Sequence, residues 1–95
     1  MVTFRLVPGT DEATFLSAAK ATEAPVAARP GFLRRSLSRD DTGLWTDYVE
    51  GADLQSAEAA AQAMMPLPEF GPFIAAIDPA SMQISHRTIL WRMGD

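Results

Sequence analysis

The sequence predicts an α+β domain in which one antiparallel sheet carries its helices on a single face. Three observations lead to this fold class: short stretches with strand composition, longer stretches with apolar residues at helical spacing, and one tight turn between two strands. Their order is β-α-β-β-α-β, the split βαβ arrangement called ferredoxin-like. A chain of 95 residues has room for one core, so residues 1–95 form a single domain.

The first two elements are a strand and a long helix. Residues 2–7 alternate apolar and polar side chains, which predicts a strand that ends at Pro8-Gly9. A helix follows over residues 11–29, with Thr10 or Asp11 as its N-cap. Pro25 predicts a kink or an early end of this helix, because its ring crowds the preceding turn.

The middle of the chain predicts a β-hairpin and a second long helix. Strands over residues 32–40 and 44–50 are joined by a tight turn at 41–43. The stretch 52–65 is rich in strong helix formers and has Asp53 as its N-cap.

The last two elements are a short, irregular helix over residues 66–79 and a strand over 81–91. Strand alternation places one set of residues on the helix-facing side of the sheet: Val2, Phe4, Leu6, Met82, Ile84 and His86. The opposite set mixes polar and apolar residues, which favours a sheet face covered by a second subunit. Trp91 is the expected anchor of a C-terminal segment that extends onto this partner.

Composition excludes several classes of function. A net charge of −4 and dispersed basic residues argue against nucleic acid as a partner. One histidine and no cysteine leave no zinc site of the usual kind, so no metal is expected. No stretch resembles a signal peptide or a membrane span, which predicts a cytoplasmic location and no membrane partner.

His86 is the candidate catalytic base. On the apolar side of the last strand its imidazole would be neutral and could accept a proton beside a cavity. In the alternative, His86 is a core residue whose ring nitrogens bond to backbone or to Tyr48.

Strand alternation also divides the third strand into two faces. Trp45 and Asp47 share one face, where Asp47 could orient His86 or bind a substrate hydroxyl, and Tyr48 lies on the other. In the alternative, Trp45 is core and Asp47 pairs across the hairpin with Arg34 or Arg35.

Two further sets of side chains have structural and functional interpretations. Five residues line a ligand pocket or simply fill the core: Phe15, Trp45, Met64, Phe70 and Phe73. Arg5 faces the expected dimer side and needs an acidic partner there, for which Glu50 is one possibility.

Four stretches resemble the antibiotic biosynthesis monooxygenase-like family of dimeric α+β barrel proteins. They are "VTFRLVPGTDEATFLSAAKATE", "RPGFLRRSL", "GLWTDYVEGADLQSAEAAAQAM" and "PFIAAIDPASMQISH". The resemblance implies a homodimer whose sheets face each other, with a ligand cavity between sheet and helices in each subunit. It also implies chemistry without a cofactor.

The chain departs from the family pattern in two places. It contains no asparagine, the side chain that haem-degrading and anthrone-oxidising relatives use, and Gly51 replaces a common tryptophan and leaves room beside the sheet. These departures favour a protein that binds a small hydrophobic or aromatic ligand. The alternatives are a cofactor-independent monooxygenase or isomerase with an aromatic or polyketide-like substrate, and a non-catalytic assembly module.

Overall fold

The computed structural model describes residues 1–52, 55, 59, 62–64 and 66–94, and its framework is a sheet of four strands. The strands are β1 (Val2–Phe4), β2 (Phe32–Arg39), β3 (Trp45–Gly51) and β4 (Gln83–Ile84). They are antiparallel and lie in the order β2-β3-β1-β4. The molecule is a small α+β fold, compatible with the predicted ferredoxin-like arrangement.

Three α-helices have defined bounds: α1 (Glu12–Lys20), α2 (Glu23–Ala27) and α3 (Gly71–Ala75). Short 3₁₀ turns at Pro68–Phe70 and Pro79–Ser81 flank α3. The helical segment predicted over residues 66–79 is therefore short and irregular, as expected. Residues 55, 59 and 62–64 are also helical. The rest of the second long helix, with its predicted cap Asp53, lies outside the described residues.

The β2–β3 hairpin forms where the sequence predicts it. Its register pairs Leu37 with Asp47 and carries a bulge near the start of β2. The turn is closed by the Asp40 carboxylate, which accepts hydrogen bonds from the backbone N–H groups of Thr42 at 2.9 Å and Leu44 at 3.0 Å. Gly43 has φ 88°, a left-handed conformation that glycine adopts without steric cost.

The predicted kink in the first helix is a break between α1 and α2. Asp11 caps α1 by accepting a hydrogen bond from the Thr14 N–H at 3.0 Å. The break precedes Pro25 by one turn, because proline has no N–H to offer the carbonyl of residue 21 and its ring crowds that carbonyl. Thr22 fills the gap: its hydroxyl donates to the Ala19 carbonyl at 2.6 Å.

Both strands at the β4 side of the sheet are shorter than predicted. β1 ends at Phe4, since the backbone N–H of Arg5 donates to the Ser81 hydroxyl at 2.8 Å instead of to a strand. β4 ends at Ile84, which pairs with Val2. Because the two strands are antiparallel, residues beyond 85 have no part of β1 beside them. Of the strand predicted over residues 81–91, only Gln83–Ile84 forms; Ser81 belongs to the preceding 3₁₀ turn, and the prediction was wrong beyond Ile84.

The core lies between the sheet and the helices. Phe4 and Trp45 supply it from adjacent strands, and Phe15 and Phe73 supply it from α1 and α3. These four rings lie in edge-on or stacked contact, with the Phe15 and Phe73 ring centroids 5.2 Å apart. The helices therefore pack on the sheet face that carries Phe4 and Trp45, as predicted. The opposite face, which carries Thr46, Tyr48 and Glu50, is called the open face below.

Candidate functional site

The residues proposed as pocket walls form the packed core. All five are buried: Phe15, Trp45, Met64, Phe70 and Phe73. Phe15 is 1% exposed and its ring centroid lies 4.9 Å from that of Trp45, the distance of an ordinary edge-to-face aromatic pair. None of the five lines either of the two cavities described below. The core interpretation of these residues is the one that matches their surroundings.

A first cavity lies between sheet and helices, but at the edge of the sheet and not at its centre. This sheet–helix groove has a volume of about 410 Å³ and runs between α1, α2 and β2. Most of its lining is apolar: Leu16, Ala19, Val26, Ala27, Phe32 and Leu37. Lys20, Glu23, Arg35 and Ser36 complete it.

Arg35 and Asp47 form a largely buried ion pair beside this groove. The guanidinium donates to both carboxylate oxygens, at 2.9 Å from Nε and 2.7 Å from Nη2. The Arg35 Nη1 donates to the Thr22 hydroxyl at 2.7 Å, and the Arg35 Cζ lies 5.5 Å from the Phe73 ring centroid. A bidentate ion pair fixes the orientation of both side chains. Asp47 therefore pairs with Arg35 across the hairpin, which is the alternative that the sequence offered to a role beside His86.

A second cavity of about 480 Å³ lies at the open face, where the end of β3 meets residues 86–92. We call it the open-face cavity. Its polar lining includes Tyr48, Glu50, His86, Arg87 and Arg92. Its apolar lining includes Leu33, Val49, Ile89, Leu90 and Trp91. Gly51, predicted to leave room beside the sheet, also lines this cavity.

The structure corrects the predicted surroundings of His86. This residue lies two positions beyond the end of β4 and is exposed, so strand alternation no longer sets its direction. It lines the open-face cavity together with Tyr48. Asp47 does not line this cavity. Two of the three predicted catalytic residues therefore share one cavity, and the third is part of the ion pair with Arg35.

Glu50 is the residue of this cavity that sequence reasoning underrated. Its side chain is only 4% exposed and forms ion pairs with Arg34, at 2.8 Å, and with Arg92. The sequence suggests Glu50 only as a partner for Arg5. In the structure the Arg5 guanidinium donates to the Thr42 carbonyl at 2.7 Å instead. The signal was available: counting back along the hairpin from its turn places Arg34 opposite Glu50.

Met1, which carries the N-terminal amino group, also lines the open-face cavity. Burial lowers the pKa of its amino group, an effect that Asp47 opposes and Arg87 reinforces by charge. The same group donates to the Ser85 carbonyl at 2.7 Å, which ties the start of β1 to the segment after β4.

Two kinds of site are not found in the part of the chain that the structure describes. No cluster of three or more His, Cys, Asp or Glu side chains is arranged there to hold a metal ion. None of the described helices combines the length and the apolar character that crossing a bilayer requires.

Comparison of the chain with protein-family models and with curated proteins gives no match. The functional argument therefore depends on the chain's own geometry.

Proposed function

We propose that this protein binds a small hydrophobic or aromatic molecule in the sheet–helix groove. The observation that carries the proposal is the groove itself, whose volume of about 410 Å³ lies in the range of small-molecule sites. Its position between helices and sheet is the one that the family resemblance implies.

The chemistry of the lining favours an apolar ligand. Arg35 has three nitrogens committed to Asp47 and Thr22, so it offers little to a polar guest. Leu16, which is 38% exposed, and Leu37 give apolar surface that a ring system would remove from water. Burial of apolar area stabilises a complex by roughly 25 cal/mol per Å² before the cost of association.

The test fills the groove with a side chain. Ala27 is exposed and lines the groove, whereas Ala28 is exposed and does not, so Ala27→Trp and Ala28→Trp are matched variants. The probe is N-phenyl-1-naphthylamine, a neutral dye that fluoresces in apolar sites. We expect saturable binding to the wild type and to Ala28→Trp, and its loss in Ala27→Trp. Equal binding by all three proteins contradicts the proposal.

The proposal includes a homodimer of the dimeric α+β barrel type, formed by a ferredoxin-like subunit of the monooxygenase-like family in the cytoplasm. The strand order and the chain's exposed apolar side chains support it. Leu90, Trp91 and Met93 are 91%, 78% and 83% exposed, an apolar surface that a partner would cover.

Light scattering tests this association. The wild type should have twice the mass of the 10.3 kDa chain at micromolar concentration, and Trp91→Ser should shift the species toward monomer. Leu16→Ser, at an exposed apolar position of α1 on the other side of the sheet, is the control and should leave the mass unchanged. A monomeric wild type rules out the dimer and leaves the groove to be judged by its own test.

A second candidate function is a cofactor-independent monooxygenase or isomerase that acts on an aromatic or polyketide-like substrate. The observation in its favour is that His86 and Tyr48 line one cavity. Oxygen uptake with anthrones and quinols tests the monooxygenase, and a change in substrate absorbance without oxygen uptake tests the isomerase, with His86→Ala as the control variant in both assays. Turnover that persists in His86→Ala excludes His86 as the base. A protein that neither binds the dye nor turns over these compounds is the assembly module.

A further inference from the structure

The open-face cavity carries more positive than negative charge, although the chain as a whole is acidic. Arg87 and Arg92 line it, and Arg34 lies against Glu50 from the neighbouring strand. Among the residues that the structure describes, Glu50 is the one acidic residue of the lining. The two guanidinium groups of the described lining against one carboxylate leave an excess of one positive charge, in a protein of net charge −4. Such local excess attracts an anion.

Glu50 itself has an unused acceptor. The Glu50 Oε2 is buried and accepts no hydrogen bond from a described residue, although the Arg34 Nε lies 2.8 Å from it as an ion-pair partner. Its Oε1 is paired with Arg92. A buried oxygen without a donor costs free energy, and a ligand hydroxyl that donates to it would remove this cost.

The remaining lining suits a ring. Tyr48 and Trp91 present aromatic surface, and Leu33 and Ile89 add apolar side chains that are 53% and 42% exposed. The volume of about 480 Å³ accommodates a single substituted aromatic ring with space for water. Aromatic and apolar surface around a few polar groups is the usual composition of a small-molecule site.

We propose that the open-face cavity is a second binding site, specific for an aromatic carboxylate that carries a ring hydroxyl. The ligand carboxylate lies against Arg87 and Arg92. Arg92 pairs with Glu50 through one nitrogen and has further N–H donors, and Arg87 lines the same cavity. The ring hydroxyl donates to Glu50 Oε2. The inference is independent of the sheet–helix groove, and it is an alternative to the proposed homodimer, because a partner that covered Trp91 on the open face would close this cavity.

The experiment is a titration of ¹⁵N-labelled protein with 4-hydroxybenzoate, observed by amide chemical shifts. We expect saturable shifts at Gly51 and Ala52, which line the cavity. Benzoate lacks the hydroxyl and methyl 4-hydroxybenzoate lacks the charge, so each should bind roughly tenfold more weakly or worse, the usual loss for a hydrogen bond to a charged group. This comparison tests Glu50 without a substitution in a buried ion pair.

Arg87→Gln tests the carboxylate contact, and Arg39→Gln is its control. Both residues are exposed arginines, but Arg39 pairs with Glu12 away from the cavity. We expect Arg87→Gln to weaken 4-hydroxybenzoate binding roughly tenfold or more and Arg39→Gln to leave it unchanged. The proposal is overturned if the wild type does not bind, if Arg87→Gln binds as the wild type does, or if benzoate binds equally well. Shifts at Ala27 and Ser36 in place of Gly51 and Ala52 also overturn it and locate the ligand in the groove.

Discussion

The two faces of the sheet are stabilised by different means. The helix-facing side is closed by aromatic rings, with Phe4 and Phe15 at 0% and 1% exposure and the Arg35–Asp47 ion pair at its margin. The open face has Thr46 and Tyr48 along β3 and a charged cluster around Glu50, and exposed residues such as Leu90 lie close to this cluster. The difference indicates that stability resides mainly on one face, while the other is available for contacts with ligand or partner.

The largest expected effect comes from removing an aromatic ring on the helix-facing side. Phe15→Ala should lower the free energy of unfolding by about 3–5 kcal/mol, because its ring contacts Phe4, Trp45 and Phe73 and leaves a cavity among them. Urea denaturation measures it. Tyr48→Phe on the open face is the control and should cost less than about 1 kcal/mol. Equal losses would mean that the two faces contribute alike.

The next effect concerns the buried ion pair. Asp47→Asn should cost about 3 kcal/mol, because it leaves the Arg35 guanidinium, 14% exposed, without its counter-charge. Denaturation of the double variant Arg35→Met/Asp47→Leu completes the measurement, since replacing both charges by apolar groups should recover most of the loss. A double variant as unstable as Asp47→Asn would show that the pair is needed for the helix-facing side to pack.

A smaller effect is expected at the helix break. Thr22 is 0% exposed, and its hydroxyl donates to the Ala19 carbonyl and accepts from Arg35 at 2.7 Å. Thr22→Val keeps the shape and removes both hydrogen bonds, so it should cost about 1–3 kcal/mol. Thr22→Ser retains the hydroxyl and should cost less in the same denaturation assay. The reverse ranking would assign the role of Thr22 to its methyl group.

The smallest effect lies at the hairpin turn, which belongs to neither face. The Thr42 hydroxyl, followed by the Leu44 N–H, holds the pKa of Asp40 below its ordinary value of 3.8. The stabilisation is therefore complete above the ordinary pKa and is lost as pH falls through the lower pKa of the folded state. An NMR titration that follows the Asp40 carboxyl carbon measures this pKa. Thr42→Val should raise this pKa toward 3.8, and an unchanged pKa contradicts the assignment.

Sequence reasoning was most accurate where the signal is local. The hairpin follows from a turn with Asp40 and Gly43 between two strand patterns, and the helix break follows from the geometry of Pro25. Strand alternation also put Trp45 and Asp47 on one face and Tyr48 on the other. These features depend on residues close together in the chain, for which short-range rules hold.

It failed where the outcome depends on a distant partner. His86 continues an alternating pattern, but a strand exists only where a neighbour supplies hydrogen bonds, and β1 supplies none beyond residue 85. The surroundings of Glu50 depend on Arg92, which approaches from the segment after β4. No spacing rule relates these two positions. The roles proposed for His86, Tyr48 and Asp47 stay predictions.

The position of β1 between β3 and β4 has a consequence for how the chain folds. The hairpin closes a short loop, whereas β1 must meet Asp47 on one side and Ile84 on the other, and the latter contact spans almost the whole sequence. Loop-closure entropy makes such distant contacts late events. The strand that is synthesised first therefore completes its pairing last. Until β4 is available, its outer edge stays open to strands of other chains.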